Sequence, residues 1–225
     1  EKVFFDAQYN LFSETIRSIR TSISLLGIDK PLQVLEVTSS VPNEGKSSAS
    51  INLAYSFAAM EKVLLIDCDL RKPALARRFD LPAYQPGLSN LLAGSESMEE
   101  CITQNVVENV DLLTAGAIPL NPLELLSSQK FDDLITQLKT QYDRIIFDTP
   151  PVHAVSDALV LAPKCDATVL VIKSDSTSTP MVKRTAAQIT QSHGKLLGVI
   201  LNQIDTKNAA NYGYGYYQYE ESKES

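Results

Sequence analysis

Six short stretches of this chain are almost uninterrupted in apolar residues: LQVLEVTSS (32–40), VLLIDCD (63–69), DLLTAG (111–116), RIIFDTP (144–150), ATVLVIKSD (167–175) and LLGVILNQID (196–205). A strand with one wet face alternates apolar and polar residues, whereas a near-continuous apolar run belongs to a strand covered on both faces. Between the runs lie SSASINLAYSFAAM, QKFDDLITQLKTQY, SDALVLAP and TPMVKRTAAQITQS, with helix-forming composition and helical spacing of their apolar residues. Strand–helix–strand order repeated in this way predicts an α/β fold, a mostly parallel sheet flanked by helices on both faces. Ligands of such sheets bind beyond the carboxyl ends of the strands. The residues that close each run are therefore where chemistry is expected.

The two ends of the chain stand apart from this pattern. SETIRSIRTSISLL (13–26) reads as one amphipathic helix with Ser13 as its N-cap. Phe12, Ile16, Ile19, Ile23 and Leu26 share one face, and Glu14, Arg17 and Arg20 lie on the opposite side. At the other end, five of the nine tyrosines, Tyr212, Tyr214, Tyr216, Tyr217 and Tyr219, fall within NYGYGYYQYEESKES, which has neither alternation nor helical period. Three parts are expected: an N-terminal helical segment (1–30), an α/β domain (31–207) and a flexible tyrosine-rich tail (208–225).

The first apolar run leads into SVPNEGKS (40–47), which matches G-x-x-x-x-G-K-[ST] at every specified position but the first, where Ser40 replaces Gly. A strand feeding a tight loop that opens a helix points successive amides at an anion, so the amides of Asn43, Glu44, Gly45, Lys46, Ser47 and Ser48 are expected to cradle phosphates. Lys46 is placed to reach the β- and γ-phosphates of ATP, and the Ser47 hydroxyl to ligate Mg²⁺. The domain is thus expected to be P-loop NTPase-like. Two other runs end in acids: Asp67 and Asp69, which point the same way if strand geometry persists, and Asp148. Three carboxylates at the ends of buried strands are costly without a cation or donors nearby. Mg²⁺ and a phosphate loop would supply that reason.

Charge and cysteines narrow the partners. A formal net charge of −7 disfavours bulk attraction to nucleic acid or anionic lipid. Cys68, Cys101 and Cys165 show no CxxC spacing, fitting three small core residues in a reducing compartment. No apolar run approaches the ~20 residues that span a bilayer. No signal peptide opens the sequence, so membrane association is expected only through a partner or a segment outside it. His153 and His193 are expected at the surface, and Asn202, after the last run, is a candidate contact to adenine.

The segments GKSS (45–48), LLIDCDLRKP (64–73) and IIFDTPP (145–151), in this order, resemble the Walker A, A′ and B motifs of bacterial protein-tyrosine kinases of capsule and exopolysaccharide synthesis. The chain most resembles the cytoplasmic kinase subunit of Gram-positive bacteria. Glu14, Arg17 and Arg20, spaced as E-x-x-R-x-x-R, and the terminal tyrosine cluster extend the resemblance over essentially the whole chain. It implies that Asp67 and Asp69 form the second acidic motif, one acting on Mg²⁺ and the other near the incoming tyrosine hydroxyl, with Asp148 orienting metal-bound water. Which of Asp67 and Asp69 is the base stays open. It also implies a ring of copies, an octamer in the relatives, joined through Glu14, Arg17 and Arg20. The phosphorylated groups would be Tyr212, Tyr214, Tyr216, Tyr217 and Tyr219, modified in trans. The partner implied is the cytoplasmic segment of a membrane activator, holding the kinase at the inner face of the membrane without insertion. Arg71 and Lys72 could offset charge during transfer. The competing expectation is a nucleotide-switched assembly ATPase of the positioning or partitioning type. Those ATPases carry a lysine where this sequence has Val41.

Overall fold

The computed structural model describes residues 11–82 and 84–205. Its centre is a seven-stranded sheet in the order β3-β4-β2-β5-β1-β6-β7. The strands are β1 (Val34–Ser39), β2 (Val63–Asp67), β3 (Ile102–Val107), β4 (Val110–Leu113), β5 (Arg144–Asp148), β6 (Ala167–Lys173) and β7 (Leu196–Asn202). All pairs are parallel except β3 with β4. The helices are α1 (Leu11–Leu26), α2 (Lys46–Ala58), α3 (Leu75–Arg78), α4 (Leu88–Ala93), α5 (Met98–Cys101), α6 (Pro122–Leu126), α7 (Gln129–Leu138), α8 (Asp157–Leu161) and α9 (Thr179–Gln191).

Five of the six apolar runs become strands because both faces of the sheet are covered there, whereas the sixth forms β7, an edge strand with Val199 and Leu201 exposed. In β2, Val63 and Leu65 pack with Ile16 and Ile23 of α1 and Ile51, Leu53 and Phe57 of α2. Leu64 and Ile66 point the other way, toward Leu88 and Leu92 of α4 and Phe131, Leu134 and Leu138 of α7. This is the period-two alternation of a strand with no wet face. Each such buried side chain contributes about 1.5–3 kcal/mol. Cys68, Cys101 and Cys165 are free and buried, as small core residues.

Three expectations are corrected. The strand β3 is absent from the apolar pattern because it is an edge strand, with Gln104 and Asn105 exposed. It pairs antiparallel with β4 through a turn at Asn109, whose φ of 62° suits asparagine. Ser13 is not a cap, since α1 is already helical at Leu11 and Ser13 lies buried inside the helix. The buried face of α1 is narrower than the periodicity predicts. Ile16 and Ile23 pack into the core, while Phe12 and Leu26 near its two ends stay exposed. No helix among the described residues is long and apolar enough to cross a membrane. The tyrosines from Tyr212 to Tyr219 lie outside the described residues.

Candidate active site

The strand order sets the site. β5 lies between β2 and β1, so Asp148 pairs in register with Asp67 on one side and Val37 on the other. The loop leaving β1 therefore rises beside both acidic strand ends. Gly45 caps α2 at φ 93°, and Asn43 is also left-handed at φ 68°. Small residues on α2, among them Ser47, Ala49, Ser50 and Ala54, are buried and let its first turn lie close to the sheet.

The Lys46 ammonium sits between two carboxylates, 3.4 Å from Asp148 Oδ1 and 3.5 Å from Asp69 Oδ2, and 3.3 Å from Ser47 Oγ. Burial alone would lower its pKa, but the charges of Asp148, Asp69 and Asp67 outweigh this and raise it, so the ammonium form is held. Asp148 is fully buried. Burial raises its pKa, against Lys46 and the hydroxyls of Ser47 and Ser50, which lower it. Ser50 Oγ donates to Asp148 Oδ1 at 3.2 Å. The other oxygen, Oδ2, is buried without a hydrogen-bond partner among the described residues.

The two acids of β2 are used differently. Asp67 Oδ1 accepts from the Asp69 amide at 3.1 Å, and Oδ2 accepts from the amides of Ala74 and Leu75 at 3.0 and 2.9 Å. Its carboxyl thus holds the turn into α3. Its pKa is pushed up to about 7, by burial first and then by Asp148, against those amides. Asp69 presents Oδ2 to Lys46, while its Oδ1 accepts from the Lys72 amide at 3.0 Å.

These residues fit a divalent cation. Three carboxylates surround one ammonium, and a buried Asp148 oxygen lacks a donor. Among the described residues, no group of three or more His, Cys, Asp or Glu side chains could hold a metal alone. Mg²⁺ takes one or two protein oxygens and completes its shell with phosphate and water. Ser47, with Asp148 and Asp67 behind it, would hold it.

Other predicted residues take unexpected positions. The Glu44 side chain turns inward, accepting from the Val41 amide (2.8 Å), the Lys173 amide (3.3 Å) and the Thr177 hydroxyl, so only its backbone remains for a phosphate. The Asn202 amide donates to the Glu44 carbonyl at 3.0 Å, holding the loop. Arg71 is bound by the fully buried Asp157 at 2.8 and 3.0 Å, which removes it from charge neutralisation; Lys72 stays exposed. Arg17 pairs with Glu14, whereas Arg20 turns from the predicted outer face and donates to the Ser56 carbonyl of α2 at 3.0 Å.

Three contacts at the site carry no signal in the sequence. Arg78 of α3 donates to Ser48 Oγ at 3.0 Å, bringing a second cation to the loop. Ser40, in place of the first glycine, is buried and lies 2.8 Å from Thr185 Oγ1. His153 is half-buried, with Nε2 3.0 Å from the same Thr185 hydroxyl.

A family model described as an AAA domain matches residues 42–205. Over 206 residues, 91% of this chain and 86% of the relative, the sequence is 40% identical to the tyrosine-protein kinase YwqD of Bacillus subtilis. The chain belongs to the bacterial tyrosine-protein kinase family. Solved structures of similar shape agree. The chimerical protein CapA2B2 superposes at a TM-score of 0.83 with 37% identity, covering 87% of this chain and 86% of that one. The kinase domain of the Escherichia coli tyrosine kinase ETK also reaches 0.83, with 32% identity over 90% of this chain and 80% of that one. In this member of the kinase family, Lys46, Asp67, Asp69 and Asp148 converge at the carboxyl ends of adjacent strands.

Proposed function

We propose that this chain is an ATP- and Mg²⁺-dependent protein-tyrosine kinase that phosphorylates Tyr212, Tyr214, Tyr216, Tyr217 and Tyr219 of a neighbouring copy. The observation that carries this reading is the Lys46 ammonium held between Asp69 and Asp148 where a phosphate loop opens α2. Phosphoryl transfer needs mainly positioning and charge neutralisation. Amides from Asn43 to Ser48 and the Lys46 ammonium bind the phosphate chain. Mg²⁺, held through Ser47 with Asp148 and Asp67 around it, would offset charge on the β- and γ-phosphates when bound.

The tyrosine Oη attacks the γ-phosphorus as the bond from that phosphorus to the ADP oxygen breaks. The hydroxyl proton passes to a carboxylate. Asp69 is the better placed base, because Asp67 is fully buried and its oxygens already accept three backbone amides. A free tyrosine has a pKa near 10, so a base beside the hydroxyl assists transfer at neutral pH.

Glu14 and Arg17 of α1 join copies into a ring, an octamer by the family resemblance, while Arg20 braces α1 against α2 through the Ser56 carbonyl. Leu25, Leu26 and Ile28 are exposed near the end of α1 and support an apolar contact there. The cytoplasmic segment of a membrane activator stimulates the kinase and keeps it peripheral to the membrane, where it controls capsular or exopolysaccharide synthesis or export. Five phosphates would add roughly −8 to −10 charges to the chain's −7, and the added repulsion would release the ring.

The test is intact mass after incubation with ATP and Mg²⁺, with and without the activator's cytoplasmic segment, beside Lys46→Met. Successive phosphoryl additions mapping to Tyr212–Tyr219, missing in the variant, are expected. ATP binding without any addition in the activator's presence would overturn the kinase reading and favour the nucleotide-switched assembly ATPase.

A further inference from the structure

The loop between β1 and α2 is gripped from the side of β7. Asn202, the last residue of β7, donates from Nδ2 to the Glu44 carbonyl at 3.0 Å. Gln203, next in the chain, donates from Nε2 to the Asn43 carbonyl at 3.2 Å. In a trans peptide the C=O and N–H point to opposite sides of the chain. The Asn43 carbonyl shares its peptide plane with the Glu44 amide, and the Glu44 carbonyl shares its plane with the Gly45 amide. Holding both carbonyls toward β7 therefore turns both amides toward the opposite side of the loop.

The backbone on both sides of this contact is specialised for it. Asn43, Gly45 and Gln203 all have positive φ, at 68°, 93° and 56°. Left-handed residues at alternate positions of a turn aim successive amides into one concavity that receives anions. The approach is close, since a Cβ on Gly45 would lie 2.1 Å from Asn202 Nδ2. On the remaining side, the Glu44 carboxylate accepts from the Val41 and Lys173 amides. The loop is thus fixed between β6 and β7, and the two carboxamides set the orientation of its central peptides.

We infer that Asn202 and Gln203 are positioning residues of the phosphate site, acting through the Asn43–Glu44 and Glu44–Gly45 peptides and not through contact with the base. This rests on the reading of the loop as phosphate-binding. It predicts that their loss weakens every ligand with a triphosphate equally, whatever its base. A residue that reads adenine would discriminate between bases instead.

The experiment titrates the full chain calorimetrically with ATP, GTP and inorganic tripolyphosphate, each with Mg²⁺. The variants are Asn202→Leu, which keeps the volume without a donor, Gln203→Met and the double. One lost hydrogen bond corresponds to about a fivefold loss. Each single variant is expected to weaken all three ligands by a common factor near that size, and the double more. In the kinase assay, KM for ATP rises while kcat at saturating ATP is retained. Gln203 is exposed, so Gln203→Met keeps its fold and tests the inference even if Asn202→Leu does not. A loss confined to ATP, or equal binding by variants and unsubstituted protein, overturns the positioning role. If the unsubstituted chain binds none of the three, the phosphate-loop reading itself fails.

Discussion

Replacing Glu36 by glutamine should flatten the dependence of stability on pH. Glu36 lies in β1, fully buried, and accepts from Thr168 Oγ1 at 2.8 Å. Thr149 Oγ1 lies 3.2 Å from both Glu36 Oε1 and the Val37 carbonyl, and its single proton can serve only one of them. A protonated Glu36 resolves this by donating to Thr149 while Thr149 donates to Val37. Burial raises the pKa from its ordinary 4.5 to about 8, against the two hydroxyls, which lower it. The folded state then holds one proton more than the unfolded chain across that interval. The resulting stability is complete below about 4.5 and is lost as pH rises toward about 8. The slope is about 1.4 kcal/mol per pH unit, or about 4 kcal/mol between pH 4.5 and 7.5. The substituted side chain would mimic the protonated form, with an amide that donates to Thr149 and an oxygen that accepts from Thr168. Urea unfolding of both proteins at pH 5, 6, 7 and 8 isolates the effect, because every other titrating group is common to the pair. The stability difference should move in favour of Glu36→Gln by about 1 kcal/mol or more per unit. Parallel curves, within ~0.5 kcal/mol across the range, would refute a buried neutral carboxyl at this position.

Two further outcomes follow from groups at the edge of the site. Arg71→Ala strips the partner from the fully buried Asp157. Because Arg71 is itself partly exposed, the cost should be about 2 kcal/mol, below the 3–5 typical of breaking a wholly buried pair; urea unfolding measures it, and no loss would show that water replaces the guanidinium. Gly45→Ala places a Cβ 2.1 Å from Asn202 Nδ2 on a backbone at φ 93°. Calorimetric titration with Mg²⁺–ATP should show at least a tenfold loss of affinity, and unchanged binding would show that the loop moves aside without strain.

The sequence was most legible where burial is most uniform. Strands such as VLLID and RIIFD are buried at every residue, so each position obeys the same apolar rule and the run announces itself. ITQNVV in β3 mixes buried and exposed positions, and a short mixed segment has no period to detect. The helices α3 to α6 are four to six residues long, too short for an amphipathic repeat. At the site, Lys46, Asp67 and Asp148 could be read because each closes a strand or opens a helix, and Asp69 because it follows Asp67 at the next position but one. Thr185 could not, since it meets Ser40 from 145 residues away. Arg71 was misread for the same reason, its partner Asp157 lying 86 residues on. Local sequence announces which groups sit at strand ends, while their remote partners emerge only when the helices pack.

The central place of β1 in the sheet has a consequence for synthesis. The phosphate motif is translated before most of the strands around it, since β1 is flanked by β5 and β6, and the loop's outer grip comes from Asn202, 158 residues after Glu44. Such long-range pairings must await the remote segments. Until those segments emerge from the ribosome, the motif remains exposed glycine, lysine and serine, without the walls that make it a pocket. Nucleotide capture belongs to the finished sheet, in which β7 completes the loop that follows β1.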